Sequence, residues 1–154
     1  MFVDFKELPG HSRIWVYQSN RRFSEEEIKE VAEKTKVFLE QWTAHGQGLQ
    51  AGFEMKYERF LILAVNQDSQ EATGCSIDAS VKFIQQLEQD YKVELLDKMN
   101  VAFKQGEFVN FKPLMEFKKM AKSGAVGKKT VVFNNLVTNI DDYNENWEVE
   151  AQDS

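Results

Sequence analysis

The run of residues 60–65, Phe-Leu-Ile-Leu-Ala-Val, contains no polar side chain. A strand with one face in water alternates apolar and polar residues, so an unbroken apolar run of this length is typical of a strand covered on both faces. We therefore predict that residues 60–65 form a central strand of a sheet. Residues 52–57 lie just before it, and a tight turn near Glu58 would join the two segments as a hairpin.

The first helix has a clear start signal at Ser24. The Ser24 hydroxyl can accept a hydrogen bond from the backbone N–H of Glu27, and the Glu27 carboxylate can reach back to the Ser24 N–H, as in a capping box. Apolar residues then recur at helical spacing: Ile28, Val31, Ala32, Phe38, Leu39 and Trp42. We expect this helix to end at His45 and Gly46, with Gly46 as a left-handed C-cap.

The second helix is predicted to begin at Ser76. Its apolar stripe would consist of Ile77, Ser80, Val81, Ile84, Leu87 and Tyr91. Ser76 is the expected N-cap, with its hydroxyl directed toward the N–H of Ala79. The short stretch before this helix contains the only cysteine of the chain, Cys75.

The other elements follow from strand propensity and turn residues. Further strands are predicted at residues 13–18, 101–104, 107–112 and 130–137. Pro113 is the expected first residue of a third helix, which Gly124 would end. Residues 141–154 form an acidic tail with Trp147 as its only anchor, and we expect part of this tail to be disordered.

Through Lys104 the predicted order is strand, helix, strand, strand, helix, strand. This is the order of the ferredoxin-like βαββαβ unit, an antiparallel sheet with its two helices on one face. We therefore predict one α+β domain over residues 1–154, in which the remaining hairpin arm, helix and strand extend the sheet or cap its edge. A different α+β arrangement is the main alternative.

Charge and composition exclude several classes of function. The net charge of −6 argues against general nucleic-acid binding, which needs a dominant cationic surface, although a local basic patch remains open. A single cysteine excludes an intramolecular disulfide and a four-thiolate metal site. No signal-peptide pattern occurs, and no apolar run approaches the roughly 20 residues of a bilayer span. We expect a cytoplasmic protein without membrane association.

Three separated segments are predicted to meet at one rim of this fold, because the first helix ends where the third strand ends and the second helix begins. They contain our candidate ligand-binding residues, which are Trp42, His45, Asp68, Thr73, Gly74, Cys75, Ser76 and Asp78. The backbone N–H groups of a helix start favour an anion. Trp42 would add an aromatic wall, and His45 would add a proton carrier near neutral pH.

A small enzyme at the same rim is the alternative. Cys75 at a helix N-terminus could be a nucleophile with His45 as its base and Asp78 nearby. However, a lone cysteine is more often a small buried apolar residue, and helices need hydroxyl and carboxylate caps in any case. Together with Asp68, these residues have mixed ligand softness and no diagnostic spacing, so we predict no metal site.

We therefore expect a non-catalytic binding or interaction protein that needs no cofactor. Its ligand would be a small anion, or its partner would be another protein or a second copy of the chain. Four arginines, Arg13, Arg21, Arg22 and Arg59, could form a patch for a phosphate or an acidic partner, or could simply be solvated surface residues.

Some sequence segments also point to a known family. They are Trp-Thr-Ala-His-Gly at 42–46, Arg-Phe at 59–60 and Gly-Cys-Ser-Ile-Asp at 74–78. With them, the chain resembles, from Arg13 to Trp147, a family of small uncharacterised bacterial proteins that are often labelled "ABC transporter ATPase".

That label implies a Walker A loop, but Gly-x-x-x-x-Gly-Lys-Ser/Thr occurs nowhere in the sequence. The nearest segment, residues 124–130, has two residues between its glycines where the motif has four. It also leads into a predicted strand, whereas a phosphate loop opens a helix. We therefore predict no ATP hydrolysis, and the resemblance implies no catalytic residues.

Overall fold

The computed structural model describes residues 1–97, 100–105, 108–124, 127 and 129–151. Within these residues the chain has an α+β fold, as predicted. The strands are β1 (Arg13–Gln18), β2 (Thr43–Ala44), β3 (Gln47–Gly48), β4 (Gln50–Lys56), β5 (Phe60–Asn66), β6 (Asn100–Gln105), β7 (Phe108–Pro113), β8 (Val131–Phe133) and β9 (Glu148–Glu150). The helices are α1 (Glu25–Gln41), α2 (Gly74–Tyr91), α3 (Leu114–Ser123) and α4 (Ile140–Asn146), and a 3₁₀ turn spans Phe5–Glu7.

β5 is the central strand of an antiparallel sheet with the order β1-β5-β4. In this sheet Leu63 lies between Trp15 of β1 and Phe53 of β4. Each residue from Phe60 to Val65 is at most 1% exposed. The prediction of a central, fully covered strand is therefore confirmed.

One face of β5 packs against the two long helices. Leu61, Leu63 and Val65 share a core cluster with Leu39 of α1 and Ile84 of α2. Burying an aliphatic side chain of this size stabilises a fold by roughly 1.5–3 kcal/mol. The helical stripes predicted from the sequence thus cover the sheet on one side, as expected for an α+β layer.

The other face of β5 packs against the C-terminal part of the chain. Phe60, Ile62 and Ala64 belong to a second core cluster that includes Phe133 and Trp147. The ring centroid of Phe60 is 4.8 Å from that of Phe133 and 4.9 Å from that of Trp147. These contacts explain why residues 60–65 of β5 include no polar side chain. They also cover the sheet face that could otherwise have served as an interface with a partner.

The C-terminal strands form a second sheet with the order β7-β6-β8-β9. The ferredoxin-like unit would place β6 beside β1 as its fourth strand, but β6 pairs with β7 and β8 instead. The corresponding edge of β1 is occupied, because the N–H of Ile14 donates to the carbonyl oxygen of Thr138 at 3.0 Å and Arg13 bridges to Asn139. The first sheet thus has three strands in the expected order.

The end of α1 differs from the prediction. The helix ends at Gln41, and the next residues form a short hairpin of β2 and β3. Its turn consists of His45 with φ 51° and Gly46 with φ 75°. Two consecutive positive φ values are what a type I′ hairpin turn requires. Gly46 is therefore left-handed as expected, but it turns a hairpin and is not the C-cap of α1, which is Trp42.

The C-terminal segment has more structure than predicted. The strand expected at 130–137 is limited to β8, and α4 and β9 follow it. The Asn139 side chain accepts a hydrogen bond from the N–H of Asp142 at 2.8 Å and so caps α4. Trp147 is 2% exposed and anchors this segment as predicted, but it is not the only anchor, because Tyr143 of α4 is 3% exposed. The last three residues of the expected tail, 152–154, lie outside the described residues.

The β6–β7 hairpin and α3 agree closely with the sequence prediction. β6 and β7 pair in antiparallel register, while their turn at Gly106 lies outside the described residues. Pro113 was the expected first helical residue, but it is the N-cap of α3, and the helix begins one position later at Leu114. Gly124 ends the helix with φ 81°, as predicted.

Candidate functional site

A cleft of about 350 Å³ opens beside the start of α2. It is lined by His45, Gln67, Asp68, Ser69, Gln70, Glu71, Ala72 and Thr73. His45 comes from the β2–β3 turn, whereas Asp68 and Thr73 come from the loop between β5 and α2. The structure therefore brings together three of the residues that were predicted to share one rim.

Side-chain hydrogen bonds hold the loop that forms most of this cleft. The Asn66 side chain accepts from the N–H of Asp68, and the Gln67 side chain accepts from the N–H of Ala72, both at 3.0 Å. The Asp68 Oδ1 atom also lies 2.7 Å from Nε2 of His11, a residue that the sequence did not suggest. The loop conformation is thus set by its own polar residues.

The remaining lining residues were not predicted as site residues. They are Gln67, Ser69, Gln70, Glu71 and Ala72. The available signal was their position, because a loop between a central strand and a helix start must run along the edge of the sheet where both meet. Side-chain chemistry alone would not have selected them from the other polar residues of the chain.

The start of α2 corrects the prediction that Ser76 is the N-cap. Thr73 is the N-cap, and its hydroxyl accepts from the N–H of Ser76 at 3.2 Å. The Ser76 hydroxyl in turn bonds to the N–H of Thr73 at 2.5 Å and to the Thr73 carbonyl oxygen at 2.8 Å. Both hydroxyls are therefore engaged in a capping box, in which Ser76 takes the position that glutamate usually occupies.

Trp42 does not form an aromatic wall of the cleft, contrary to the prediction. Its side chain is buried, and its Nε1–H donates to the carbonyl oxygen of Ser76 at 2.8 Å. The ring packs against Trp15 and Phe38, with centroid distances of 5.9 Å and 5.3 Å. Trp42 and Ser76 thus belong to the core beside the cleft, and their buried side chains are not exposed to a ligand.

Gly74, Cys75 and Asp78 are exposed on the first turn and a half of α2, outside the cleft lining. The combination of Cys75, His45 and Asp78 was the basis of the enzyme alternative. Only His45 of these three residues lines the cleft. The cleft therefore does not bring the three residues together, and a catalytic role for them stays a prediction.

The described residues that line the cleft are mostly polar, and the permanent charges among them are carboxylates. Asp68 and Glu71 carry negative charge, and the other polar groups are hydroxyls, amides and the imidazole of His45. Among the described residues that line the cleft, none is lysine or arginine. A ligand that brings positive charge and hydrogen-bond donors therefore suits this lining better than an anion.

Two of the four arginines in the predicted patch are paired with carboxylates. Arg21 forms two hydrogen bonds with the Glu27 carboxylate, at 2.9 Å and 2.7 Å, and Arg22 is paired with Glu58. Arg59 differs, because its Nη1 atom is buried and has no hydrogen-bond partner in the part of the chain that the structure describes. Burial, and to a lesser extent the positive charge of Arg22, lower the pKa of Arg59.

Within the described part of the chain, no three or more His, Cys, Asp or Glu side chains are placed to hold a metal ion together. No helix in that part combines the length and the apolar character that crossing a membrane requires. Comparison with known proteins adds no family, because no family model, no curated protein and no solved structure matches the chain. The family resemblance described above therefore stays a prediction.

Proposed function

We propose that this chain is a non-catalytic binding protein of the cytoplasm and that a small amine binds in the cleft between the His45 turn and the loop 67–73. The main support for this proposal is the cleft itself. It is lined by His45 and by the loop 67–73, which supplies the carboxylates of Asp68 and Glu71. Its volume of about 350 Å³ lies at the lower end of the range of small-molecule sites. The exposed thiol of Cys75 suits a reducing compartment.

The charge of the lining supports an amine over the anion that the helix start alone would favour. Asp68 and Glu71 would attract an ammonium group, while the amides of Gln67 and Gln70 offer hydrogen bonds to hydroxyl or amide groups. The N-terminus of α2 is already served by the Thr73–Ser76 capping box. Fewer backbone N–H groups are therefore free to bind an external anion than at the start of an uncapped helix.

The proposed lack of catalysis rests on the separation of the reactive groups. A nucleophile needs a base within hydrogen-bond reach and a cavity that holds the reacting atom. Cys75 is exposed and lies outside the cleft lining, as does Asp78. This arrangement supports binding without chemistry.

Thermal-shift measurements with a panel of small amines and a matched panel of small anions test the proposal. We expect amines to raise the melting temperature, because a ligand that binds only the native state stabilises it by about 2.7 kcal/mol at 100 times its Kd. The double variant Asp68→Asn/Glu71→Gln should lose this shift. Asp78→Asn is the matched control, since it removes the charge of an exposed carboxylate outside the lining.

The outcomes separate the candidates clearly. An amine-specific shift that survives in Asp78→Asn and disappears in the double variant supports the proposal. A shift by anions alone would restore the original expectation of an anion at the start of α2 and contradict the amine. Absence of a shift across both panels would contradict a small-molecule function for the cleft.

A further inference from the structure

Positive charge is concentrated in one continuous part of this acidic protein. Residues 100–130 contain seven lysines and two glutamates, which gives a net charge of +5. Because the whole chain has a net charge of −6, the remainder carries −11. Lys104 is paired with Glu148 and Lys112 lies near Glu116. The positive charge that an anionic partner could contact therefore lies mainly at the other lysines of this part.

The structure places part of this charge on one outward face of α3. Leu114, Met115, Lys118, Lys119 and Lys122 follow one another at helical spacing, and we call them the lysine face. All five residues are exposed, Leu114 by 41% and Met115 by 73%.

The opposite side of α3 holds the helix to the second sheet. Phe117 and Met120 pack against the cluster of Phe103 and Val132, and the Phe117 ring centroid is 5.2 Å from that of Phe103. The helix contains no fully buried residue. The lysine face therefore points away from the core, and its two long aliphatic side chains are not needed for packing within the chain.

We propose that the lysine face docks on the surface of an anionic lipid bilayer. The lysines would contact the anionic headgroups, and the side chains of Leu114 and Met115 would enter the boundary between headgroups and acyl chains. The acidic remainder of the protein would be repelled by the same surface. The charge distribution therefore orients the molecule with α3 toward the bilayer.

The composition of the face favours lipid over other anions. Nucleic-acid surfaces typically combine cations with arginine forks or with aromatic rings that stack on bases, and the lysine face contains neither. A phosphate backbone would not bury the exposed side chains of Leu114 and Met115. The boundary between headgroups and acyl chains would bury them, and this burial is favourable. The expectation of no membrane association came from the lack of a spanning segment, and a surface contact needs no span.

Co-sedimentation with vesicles tests this proposal. The full chain is mixed with vesicles of phosphatidylcholine alone or with phosphatidylglycerol added, at low and at high salt. We expect binding only to vesicles that contain phosphatidylglycerol, and weaker binding at high salt because the lipid charge is screened. No binding at low salt, or equal binding to both vesicle types, would overturn the proposal.

Charge variants test the assignment to α3. Each lysine near an anionic surface contributes about fivefold to the partition coefficient, so Lys118→Gln/Lys119→Gln/Lys122→Gln should lower it about 100-fold. The matched control Lys29→Gln/Lys36→Gln/Lys82→Gln makes the same change in net charge at exposed lysines of α1 and α2. An equal loss in the control would overturn the proposal, and circular dichroism confirms that both variants are folded.

A last variant separates lipid from other polyanions. Met115→Gln keeps every charge, and we expect it to lower vesicle partitioning about tenfold while leaving retention on a heparin column unchanged. If Met115→Gln leaves vesicle binding unchanged, the face is a general polyanion surface and the lipid proposal is wrong. These measurements do not involve the cleft at His45, so they succeed or fail independently of the amine proposal.

Discussion

The indole Nε1–H of Trp42 donates a hydrogen bond to the carbonyl oxygen of Ser76, at a distance of 2.8 Å. Trp42 is the C-cap of α1, and Ser76 lies in the first turn of α2. Both residues are buried. This one contact therefore fixes the end of one helix against the beginning of the next, directly behind the loop that lines the cleft.

We predict that Trp42→Phe lowers the free energy of unfolding by about 1–3 kcal/mol, because it leaves part of the buried Ser76 carbonyl unsatisfied. Urea unfolding followed by circular dichroism measures the change. Trp15→Phe is the control for ring size, since Trp15 packs on the same indole from β1. Equal losses in the two variants would assign the effect to ring volume and not to the hydrogen bond.

Stability should depend on the charge of Glu27 in a predictable direction. Two hydrogen bonds from Arg21, and then one from the backbone N–H of Ser24, lower the pKa of Glu27 to about 2. Because this folded pKa is below the unfolded value of about 4.3, the carboxylate stabilises the fold above that pH. The contribution is lost as the pH falls toward 2.

The variant Glu27→Gln tests this pH dependence. Arg21 is half-exposed and therefore screened by water, so we expect a loss of only about 1 kcal/mol at neutral pH. At about pH 2 the difference from the unmodified chain should shrink, since much of the carboxylate population is then protonated. Glu26→Gln in the same helical turn is the control, and a loss that does not change with pH would contradict the assignment.

Two glycines should respond to alanine in opposite ways. A Cβ atom at Gly52 would lie 2.8 Å from the carbonyl oxygen of Val3, so the N-terminal segment must shift. We expect Gly52→Ala to destabilise the fold by about 1–3 kcal/mol. At Gly74, in the first turn of α2, the Cβ position has no described atom within 4 Å apart from its chain neighbours and the backbone of its own helix. Gly74→Ala should therefore be neutral or stabilising by up to about 1 kcal/mol, as thermal unfolding of both variants would show.

Trp147 should be among the most important residues for stability. It is 2% exposed, and its Nε1–H donates to the Asn135 side chain at 2.9 Å. We expect Trp147→Ala to cost about 3–5 kcal/mol. Leu136→Ala is the matched surface control, because Leu136 is 82% exposed, and its change should stay within about 0.5 kcal/mol. A small effect of Trp147→Ala in chemical denaturation would contradict the proposed anchoring.

Local signals predicted those parts of the fold that neighbouring residues determine. The Ser24 capping box forms with both of its expected hydrogen bonds, at 3.1 Å and 2.9 Å. The apolar run of β5 and the end of α3 at Gly124 were equally clear, because each depends on a few consecutive residues. Such features need no knowledge of the partner elements.

The incorrect predictions involve competing local signals or distant contacts. Thr73 and Ser76 are both good caps, and their mutual hydrogen bonds decide the start of α2. The partner of β6 is decided by pairing between Phe103 and Val132, which are far apart in the sequence. For the same reason the cleft was predicted only in part, since His45 was expected at a helix end, and its position depends on the β2–β3 hairpin.

The two-sided burial of β5 has a consequence for dissecting this protein. Residues 1–97 contain the whole first sheet and both long helices, and would be an obvious fragment to express. Such a fragment would expose Phe60, Ile62 and Ala64, together with Ile14 on the neighbouring strand. An apolar strip of this kind promotes self-association. The chain should therefore resist division into modules, and removing its C-terminal part should yield an aggregating product.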